Sequence, residues 1–327
     1  ICRLYFADYR LLYDLILYKV KIHYPKQIGF ASLDLTHTVL SKRKLMKLVD
    51  DYHVEGWDDP RMPTLSGLRR KGYTPDAIKN FCNKIGVAKR QNTIDISLLE
   101  HSLRENLNKK SQRALAVLNP LKITIENYPE GQTEHLDAIN NPENLSTGSR
   151  KIPFSKEIYI EKDDFMFDPP KKFNRLTLGT EVRLKYAYFI TCKKAINNPT
   201  TGELEELICT YDPNSKGGQS PDGRKVRGTI HWVSKKTAIK AQVRIYSHLF
   251  VSEKPEESPD FIQDINPDSM KILYGCFVEP SLSSTNPGDI YQFERLGYFC
   301  ADEKYCNNNN LVFNRSVSLR DSWSKIS

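Results

Sequence analysis

After Pro120 the apolar residues stop recurring at helical intervals and begin to alternate. Ile158-Tyr159-Ile160, Val182 to Tyr186, Ile230 to Val233, Val243 to Tyr246 and Phe293 to Phe299 alternate or run apolar over strand lengths. Clusters of Gly, Pro and Asn separate them. A sheet hides its apolar face only against another layer or by curling onto itself. A long succession of short strands with no helical run between them therefore predicts two antiparallel β-barrels or sandwiches. Glu130 to Ser149 and Asp212 to Gly223, rich in turn formers, read as mobile loops.

The earlier part has other rhythms. Residues 1–30 read as the tail of an α/β unit: Leu11, Leu12, Leu15 and Ile16 fall at helical spacing, a turn follows at Pro25, and Ile28-Gly29-Phe30 is strand-like. From Ser41 to Asn108 the chain is helical and clearly punctuated. Thr64 caps a helix that Gly72 stops. Thr74-Pro75-Asp76 opens a second, with a hydroxyl cap, a Pro in the first turn and an acid at the positive end of the dipole; Gly86 ends it. A third starts near Asp95 and buries Leu99, Leu103 and Leu107, four apart.

The net charge is +8, and its location matters more than its size. Ser41 to Arg113 holds 16 Lys and Arg against 9 Asp and Glu, whereas the β-rich part is close to neutral. A localised cationic surface favours a polyanion through counterion release. No stretch approaches the roughly 18 apolar residues a membrane helix needs, so no membrane partner is expected. The seven cysteines (Cys2, Cys82, Cys192, Cys209, Cys276, Cys300, Cys306) are scattered without a CxxC pair, which predicts reduced thiols in the cytoplasm and no metal site. The first residues, Ile1-Cys2-Arg3-Leu4-Tyr5-Phe6, read like the middle of a fold, so the chain is expected to be the C-terminal part of something larger.

Val39-Leu40-Ser41-Lys42-Arg43-Lys44 sets a hydroxyl beside three cations at the opening of a helical stretch. Such a place suits a polyphosphate, because Lys brings a mobile point charge and the first backbone N–H groups of a helix add a favourable dipole. Alone, the same residues would far more often describe the solvated face of a surface helix.

The long context goes further. VLSKRKL (39–45), HVEGWDDPRMPTLSGLRRKGYT (53–74), RKVRGTIHWVS (224–234), YQFERLGYFC (291–300) and FNRSVSLRDSW (313–323) resemble, in order and spacing, the bacterial-type glutaminyl-tRNA synthetases of class I. The resemblance runs over the whole chain. It implies a multidomain α+β protein with four parts. These are a remnant of a Rossmann-type catalytic domain with its SKR loop (1–44), a helical stem-contact subdomain (45–112), a proximal anticodon-binding β-barrel (113–120 and 233–327) and a distal one (121–232). It also implies ATP-dependent ligation of L-glutamine to tRNA(Gln), with ATP and Mg2+ as cofactors, by a cytoplasmic monomer.

Residue by residue, the resemblance makes Leu40, Ser41, Lys42 and Arg43 the ATP-contacting loop, with Lys42 the catalytic cation. Cys2 and Gln27 match positions around the glutamine pocket, and Asp8 an acid that reads the acceptor stem. Asn108 and Arg113 match residues that approach the anticodon loop, Arg113 at the central uridine. Arg175 matches the arginine on the third base, Arg183 and Lys185 the pair near the first, and Gln292, Glu294 and Arg295 the group completing the central-base pocket. Ser32, Lys172, Asn174 and Lys185 depart from the residues most common at those positions. His231-Trp232 reads as core packing and Trp57 to Arg61 as a structural anchor. No His-rich ATP motif of the HIGH type occurs, so this polypeptide alone is expected to give no glutamine-dependent pyrophosphate exchange. Alternatives are a stand-alone tRNA-binding module, for which a phosphate-clamping loop would be superfluous, and a eukaryotic-type glutamyl-tRNA synthetase, which shares the barrels.

Overall fold

A short βαβ unit begins the fold. In the computed structural model, which describes residues 2–3, 8–219, 222–224, 226, 228–307 and 309–319, Cys2–Arg3 pairs in parallel with Gly29–Phe30, and helix α1 (Arg10–Val20) lies between them. Leu17 is buried. Leu11, Leu12, Leu15 and Ile16, the residues at helical spacing, are exposed, because no described element packs on that face.

The helical segment obeys its punctuation. Helix α2 spans Lys42–Asp50, α3 Leu65–Lys71, α4 Pro75–Ile85 and α5 Ile96–Lys110. Thr64 Oγ1 accepts from the Gly67 N–H at 3.0 Å, Thr74 Oγ1 from Ala77 at 3.2 Å and Asp95 from Ser97 at 2.8 Å, each relieving an unpaired first-turn donor. Gly72 ends α3 at φ 99°, pressed so closely on the β-rich part that an added Cβ would lie 2.8 Å from Cys300 Cβ. Leu99, Leu103 and Leu107 pack with Tyr73 and Phe81 against Tyr298 and Val317. Each such side chain contributes about 1.5–3 kcal/mol by leaving water. A second apolar cluster joins Leu45 and Leu48 of α2 to Leu249, Phe250 and Phe261.

Ion pairs lock the same junction. Arg70, 1% exposed, donates to buried Asp302 at 3.0 Å and lies 3.3 Å from both Glu55 and Asp58. Asp59 receives Arg61 through Nε at 3.0 Å and Nη2 at 2.7 Å. Burial pushes the Asp59 carboxyl up, but the Arg61 contacts outweigh this and hold it below the usual carboxylate range. The segment from Trp57 to Arg61 is thus structural, although its anchor differs from the expected one. Trp57 is 40% exposed, and its carbonyl, rather than its indole, holds Thr64 and Ser66.

Two seven-stranded sheets make up the rest. The first runs Thr229–Ile230, Glu181–Leu184, Phe189–Asn197, Leu204–Asp212, Pro120–Ile125, Glu157–Glu161, Val233–Ser234. The second runs Gln112–Ala114, Ile290–Phe293, Gly297–Ala301, Leu311–Ser318, Ile239–Tyr246, Met270–Val278, Ala116–Val117. In each, the two edge strands are near neighbours in sequence. Only His231 and Trp232 separate the edges of the first, and only Leu115 those of the second. Chain connectivity therefore rolls each sheet around its own core, and Tyr159 stacks on Phe277 at 4.5 Å where the two meet.

Several expectations change. The sheets are mixed rather than antiparallel: Glu181–Leu184 with Thr229–Ile230, Leu204–Asp212 with Pro120–Ile125, Ile239–Tyr246 with Leu311–Ser318, and Ile290–Phe293 with Gln112–Ala114 are parallel, because long connections bring sequence-distant strands side by side. Val233–Ser234 pairs in the first sheet through Ile158 and Tyr159, so the crossover to the second falls after Ser234, not at residue 233. Phe293 to Phe299 is a hairpin, not one strand. Ile230 to Val233 breaks at His231-Trp232 into the two edge strands. Glu130 to Ser149 contains Thr133–Ile139, which pairs with Ser149–Ser155 in a two-stranded hairpin. Within Asp212 to Gly223 a tight turn, Pro213–Gly218, is held by Ser215 Oγ accepting from the Phe189 N–H; Ser220 and Pro221 lie outside the described residues.

Candidate nucleic-acid interface

Two tight turns, one from each sheet, face each other. In Leu184-Lys185-Tyr186-Ala187 the Ala187 N–H donates to the Leu184 carbonyl at 3.0 Å, with Tyr186 at φ 64°. In Phe293-Glu294-Arg295-Leu296 the Leu296 N–H donates to the Phe293 carbonyl at 3.0 Å, with Arg295 at φ 68°. Each turn thus carries a charged residue second and a bulky residue at positive φ third, where Gly or Asn is the usual choice. Strain of this kind persists where surrounding contacts over-determine it, and it clusters at ligand sites. The turns touch: the Tyr186 hydroxyl donates to Glu294 Oε1 at 2.8 Å, and Lys185 Nζ lies 3.9 Å from the same oxygen.

Arg295 reaches back into the first sheet. Its guanidinium grips Asp164 with two bonds of 2.6 and 2.7 Å, and Arg175 approaches the same carboxylate at 3.3 Å. Asp164 is buried, so a single acid orients two arginines that would otherwise repel. Arg295 also meets His231 Nδ1 at 3.2 Å, and His231 Nε2 faces Glu161 at 3.4 Å. Arginine can only donate, so Nδ1 accepts and the ring proton sits on Nε2. Trp232 packs in the core as expected, edge-on to Phe154 at 5.0 Å, and donates to the Lys185 carbonyl at 2.9 Å. Its neighbour His231 is buried too, but works inside this polar network.

Arg175 also donates to the Asp163 carbonyl at 2.9 Å and keeps 38% of its side chain exposed. It borders an open concavity of about 830 Å³ lined by Lys162, Phe165, Phe167, Lys172 and Phe173. Phe167 is exposed and Phe173 half-buried beside these cations, a combination that suits a splayed-out base with its phosphate.

Across the junction, Arg113 Nη2 donates to Asn108 Oδ1 at 3.1 Å, and the Tyr298 hydroxyl reaches that oxygen at 3.4 Å. Asn141 positions this pair, donating to the carbonyls of Asn108, Lys109 and Ser111 at 3.2, 3.2 and 3.0 Å and so capping the C-terminus of α5. Gln292 is the register partner of Arg113 and is 3% exposed. Gln292 Oε1 and Arg113 Nε are both shielded from solvent without a hydrogen-bond partner among the described residues. An orphaned acceptor beside an orphaned donor is costly unless a ligand uses both.

Arg183 goes elsewhere. The strand ends at Leu184, so the alternation expected to place Arg183 beside Lys185 stops there. Lys185 turns to Glu294, whereas Arg183 lies over the Phe189 ring at 5.5 Å and beneath Gly218, where an added Cβ would come within 2.8 Å of its Cδ.

On the helical part, Ser41 occupies the N-cap of α2, and Lys42 and Arg43 are exposed to solvent beside half-exposed Leu40. Lys44 instead clamps the helix to the second sheet's 249–265 loop, donating to the carbonyls of Glu256 at 2.7 Å and Pro255 at 3.3 Å and lying 5.1 Å above Phe261. Asp8 is exposed and Gln27 half-buried; the Cys2 backbone pairs with Gly29, and its side chain lies outside the described residues.

Asn108, Arg113, Gln292, Glu294, Arg295, Lys185 and Arg175 therefore fall into one contiguous network at the sheet junction. Asp164, Tyr186, Asn141 and Tyr298 belong to it and were not anticipated. Neither Asp164, one of several acids in a segment of mixed charge, nor Asn141, in a turn-rich segment, carried a signal.

Three family models match this chain, all described as tRNA synthetases class I (E and Q): the catalytic domain over residues 1–109, and the anti-codon binding domain over 111–212 and again over 229–302. The chain is built of class I (E and Q) tRNA synthetase domains, a catalytic segment followed by the anticodon-binding part. Among individual proteins, it is 52% identical over 327 residues to one named Glutamine--tRNA ligase from Nitrobacter winogradskyi, covering 100% of this chain and 58% of that protein. Proteins of the same name from Clostridium kluyveri (52% over 326 residues, 99% of this chain and 58% of that protein) and Vibrio vulnificus (49% over 327 residues, 100% and 58%) are similar to it at comparable length. The chain thus spans 58% of the length of these relatives.

Proposed function

We propose that this chain is the anticodon-reading and SKR-loop-bearing part of a glutamine–tRNA ligase, an enzyme that uses ATP to join L-glutamine to tRNA(Gln). The convergence of the two hairpin turns carries the reading. It gathers cations, a carboxylate and an amide where two rolled sheets meet, and Arg175 links them to a ring-lined concavity of the first sheet. Unstacked anticodon bases need that combination, with cations for phosphates, amide and carboxylate for base edges, and rings for stacking. Arg113 and Gln292 would serve the central base with Glu294 and Arg295, Arg175 the third, and Lys185 and Arg183 the first. Asn108 holds Arg113 in place.

On the helical part, exposed Lys42 and Arg43 at a helix start suit the phosphates of ATP, and their freedom is made possible by Lys44, which alone of the three clamps the helix. Bound ATP would supply the adenylyl group, with pyrophosphate as the leaving group; Lys42 would balance charge on the phosphates, with Ser41 and Leu40 shaping the loop. Magnesium would enter with the ATP phosphates, and no residue here is assigned to it. Cys2 and Gln27 near the glutamine, Asp8 at the acceptor stem, and monomeric action in the cytoplasm are carried as parts of the same proposal. The SKR loop favours this reading over a stand-alone binding module.

Arg175→Ala tests it. Binding of an RNA hairpin bearing the cognate anticodon should weaken by roughly 1–3 kcal/mol, with relaxed preference at the third base and a shallower salt dependence. Equal weakening for every hairpin would remove the base-reading role.

A further inference from the structure

Tyr186 has no part in the assignments made so far, yet it stands at the centre of the junction. It occupies the third position of a tight turn at φ 64°, a conformation that a bulky residue keeps only under strong local constraint. Three contacts supply that constraint. Its hydroxyl donates to Glu294 Oε1 at 2.8 Å, the Lys185 ammonium lies 5.0 Å above its ring, and that ammonium is 3.9 Å from the same carboxylate oxygen. Burial, reinforced by the Glu294 charge, pushes the phenol above its ordinary range, so the hydroxyl stays a donor. Glu294 Oε2, by contrast, makes no hydrogen bond among the described residues and is not shielded from solvent.

We propose that Tyr186 is a positioning residue for base recognition: its hydroxyl pins one oxygen of Glu294 and its ring seats Lys185, leaving the second carboxylate oxygen as a fixed acceptor for a base in the junction. The inference rests on the anticodon reading and deepens it. An acceptor-only oxygen at a fixed point favours a base edge that offers a ring N–H, as uracil N3 does, over one that offers a lone pair, as cytosine N3 does. Arg113 Nε, left without a partner on the neighbouring strand, supplies a donor for a carbonyl oxygen of the same base.

Binding of the full chain to RNA hairpins with loop anticodons CUG, CCG and CUA tests this. The unaltered chain should prefer CUG over both others. Tyr186→Phe should lower the CUG-over-CCG preference by roughly fivefold, the worth of one lost hydrogen bond, and leave the CUG-over-CUA preference unchanged. Glu294→Gln should lower the same preference, and the double variant should lose little more than Glu294→Gln alone, since both act through one contact. Full retention of CUG-over-CCG preference in Tyr186→Phe overturns the proposal. So does equal loss at both positions, the mark of a merely structural tyrosine. An unaltered chain that binds all three hairpins alike overturns the anticodon reading itself, and this inference with it.

Discussion

Arg70→Met is expected to destabilise the chain by roughly 3–5 kcal/mol, read from urea unfolding at neutral pH. Methionine keeps the unbranched apolar stem but not the guanidinium, so the loss would come mainly from the uncompensated carboxylate and in smaller part from the emptied space. Arg70 is the cation that helix α3 buries against the second sheet, and its removal strands Asp302, which is 0% exposed. Asn314 Nδ2 at 2.5 Å and the backbone N–H groups of Lys304 and Tyr305 at 2.8 and 2.9 Å would remain, without a compensating charge. Burial pushes the Asp302 carboxyl up, but the Asn314 bond and the Arg70 charge outweigh it and hold the group below its ordinary range. A depressed carboxylate stabilises the fold above its unfolded-state pKa, and that contribution fades as pH falls through the folded value. The gap between the unaltered chain and Arg70→Met should therefore narrow in acid. A gap of under about 1 kcal/mol at pH 7 would show that the buried pair only breaks even with apolar packing.

Lys42→Ala, in an enzyme of the relatives' full length carrying this sequence, is expected to slow glutaminyl-adenylate formation by about 10²- to 10³-fold, the usual cost of losing one charge-stabilising group at a transition state. Anticodon hairpin binding should not change. The separation follows from the structure: Lys42 is exposed at the start of α2, while Lys44, two residues on, is committed to the carbonyls of Pro255 and Glu256. Pyrophosphate exchange and hairpin binding, measured on the same preparation, read the two effects apart. A loss shared between both assays would mean that the substitution unseats the helix, and Lys42 would then be structural.

The two networks meet on one scaffold. Helix α2 is seated on the 249–265 loop of the second sheet, α3 on Asp302 and Asn314, and α5 ends under Asn141 beside Arg113. Each contact joins a helix to a loop or strand of the β-rich part, so the SKR loop and the sheet junction are carried on one packed scaffold. The Asp59–Arg61 and Arg70–Asp302 pairs serve that seating, not chemistry.

Local chemistry was readable in advance. Thr64, Thr74 and Asp95 cap where a hydroxyl or carboxylate precedes a helical run, and Gly72 stops α3 because only a residue without a Cβ fits against Cys300 and Ser316. The period of two announced strands, and the residue types of the junction were visible as a kit. What could not be read was where each strand turns. Tyr186 and Arg295 carry no turn signal, being neither Gly nor Asn, so Phe293 to Phe299 looked like one strand and Arg183 looked like a partner of Lys185. Nor does alternation reveal pairing. Whether Leu204–Asp212 lies parallel to Pro120–Ile125 depends on residues some eighty positions apart finding a common core.

By itself, then, the order of residues determined the helix ends, the strand faces and the chemical character of the helical and β-rich parts, since these depend on neighbours within a few positions. Tertiary structure alone decided the parallel registers, the rolling of each sheet, and the meeting of Tyr186 with Glu294 and of Arg295 with Asp164. Those contacts join segments more than a hundred residues apart. They exist only because packing between the sheets repays the strain of two left-handed turns that local preference would have refused.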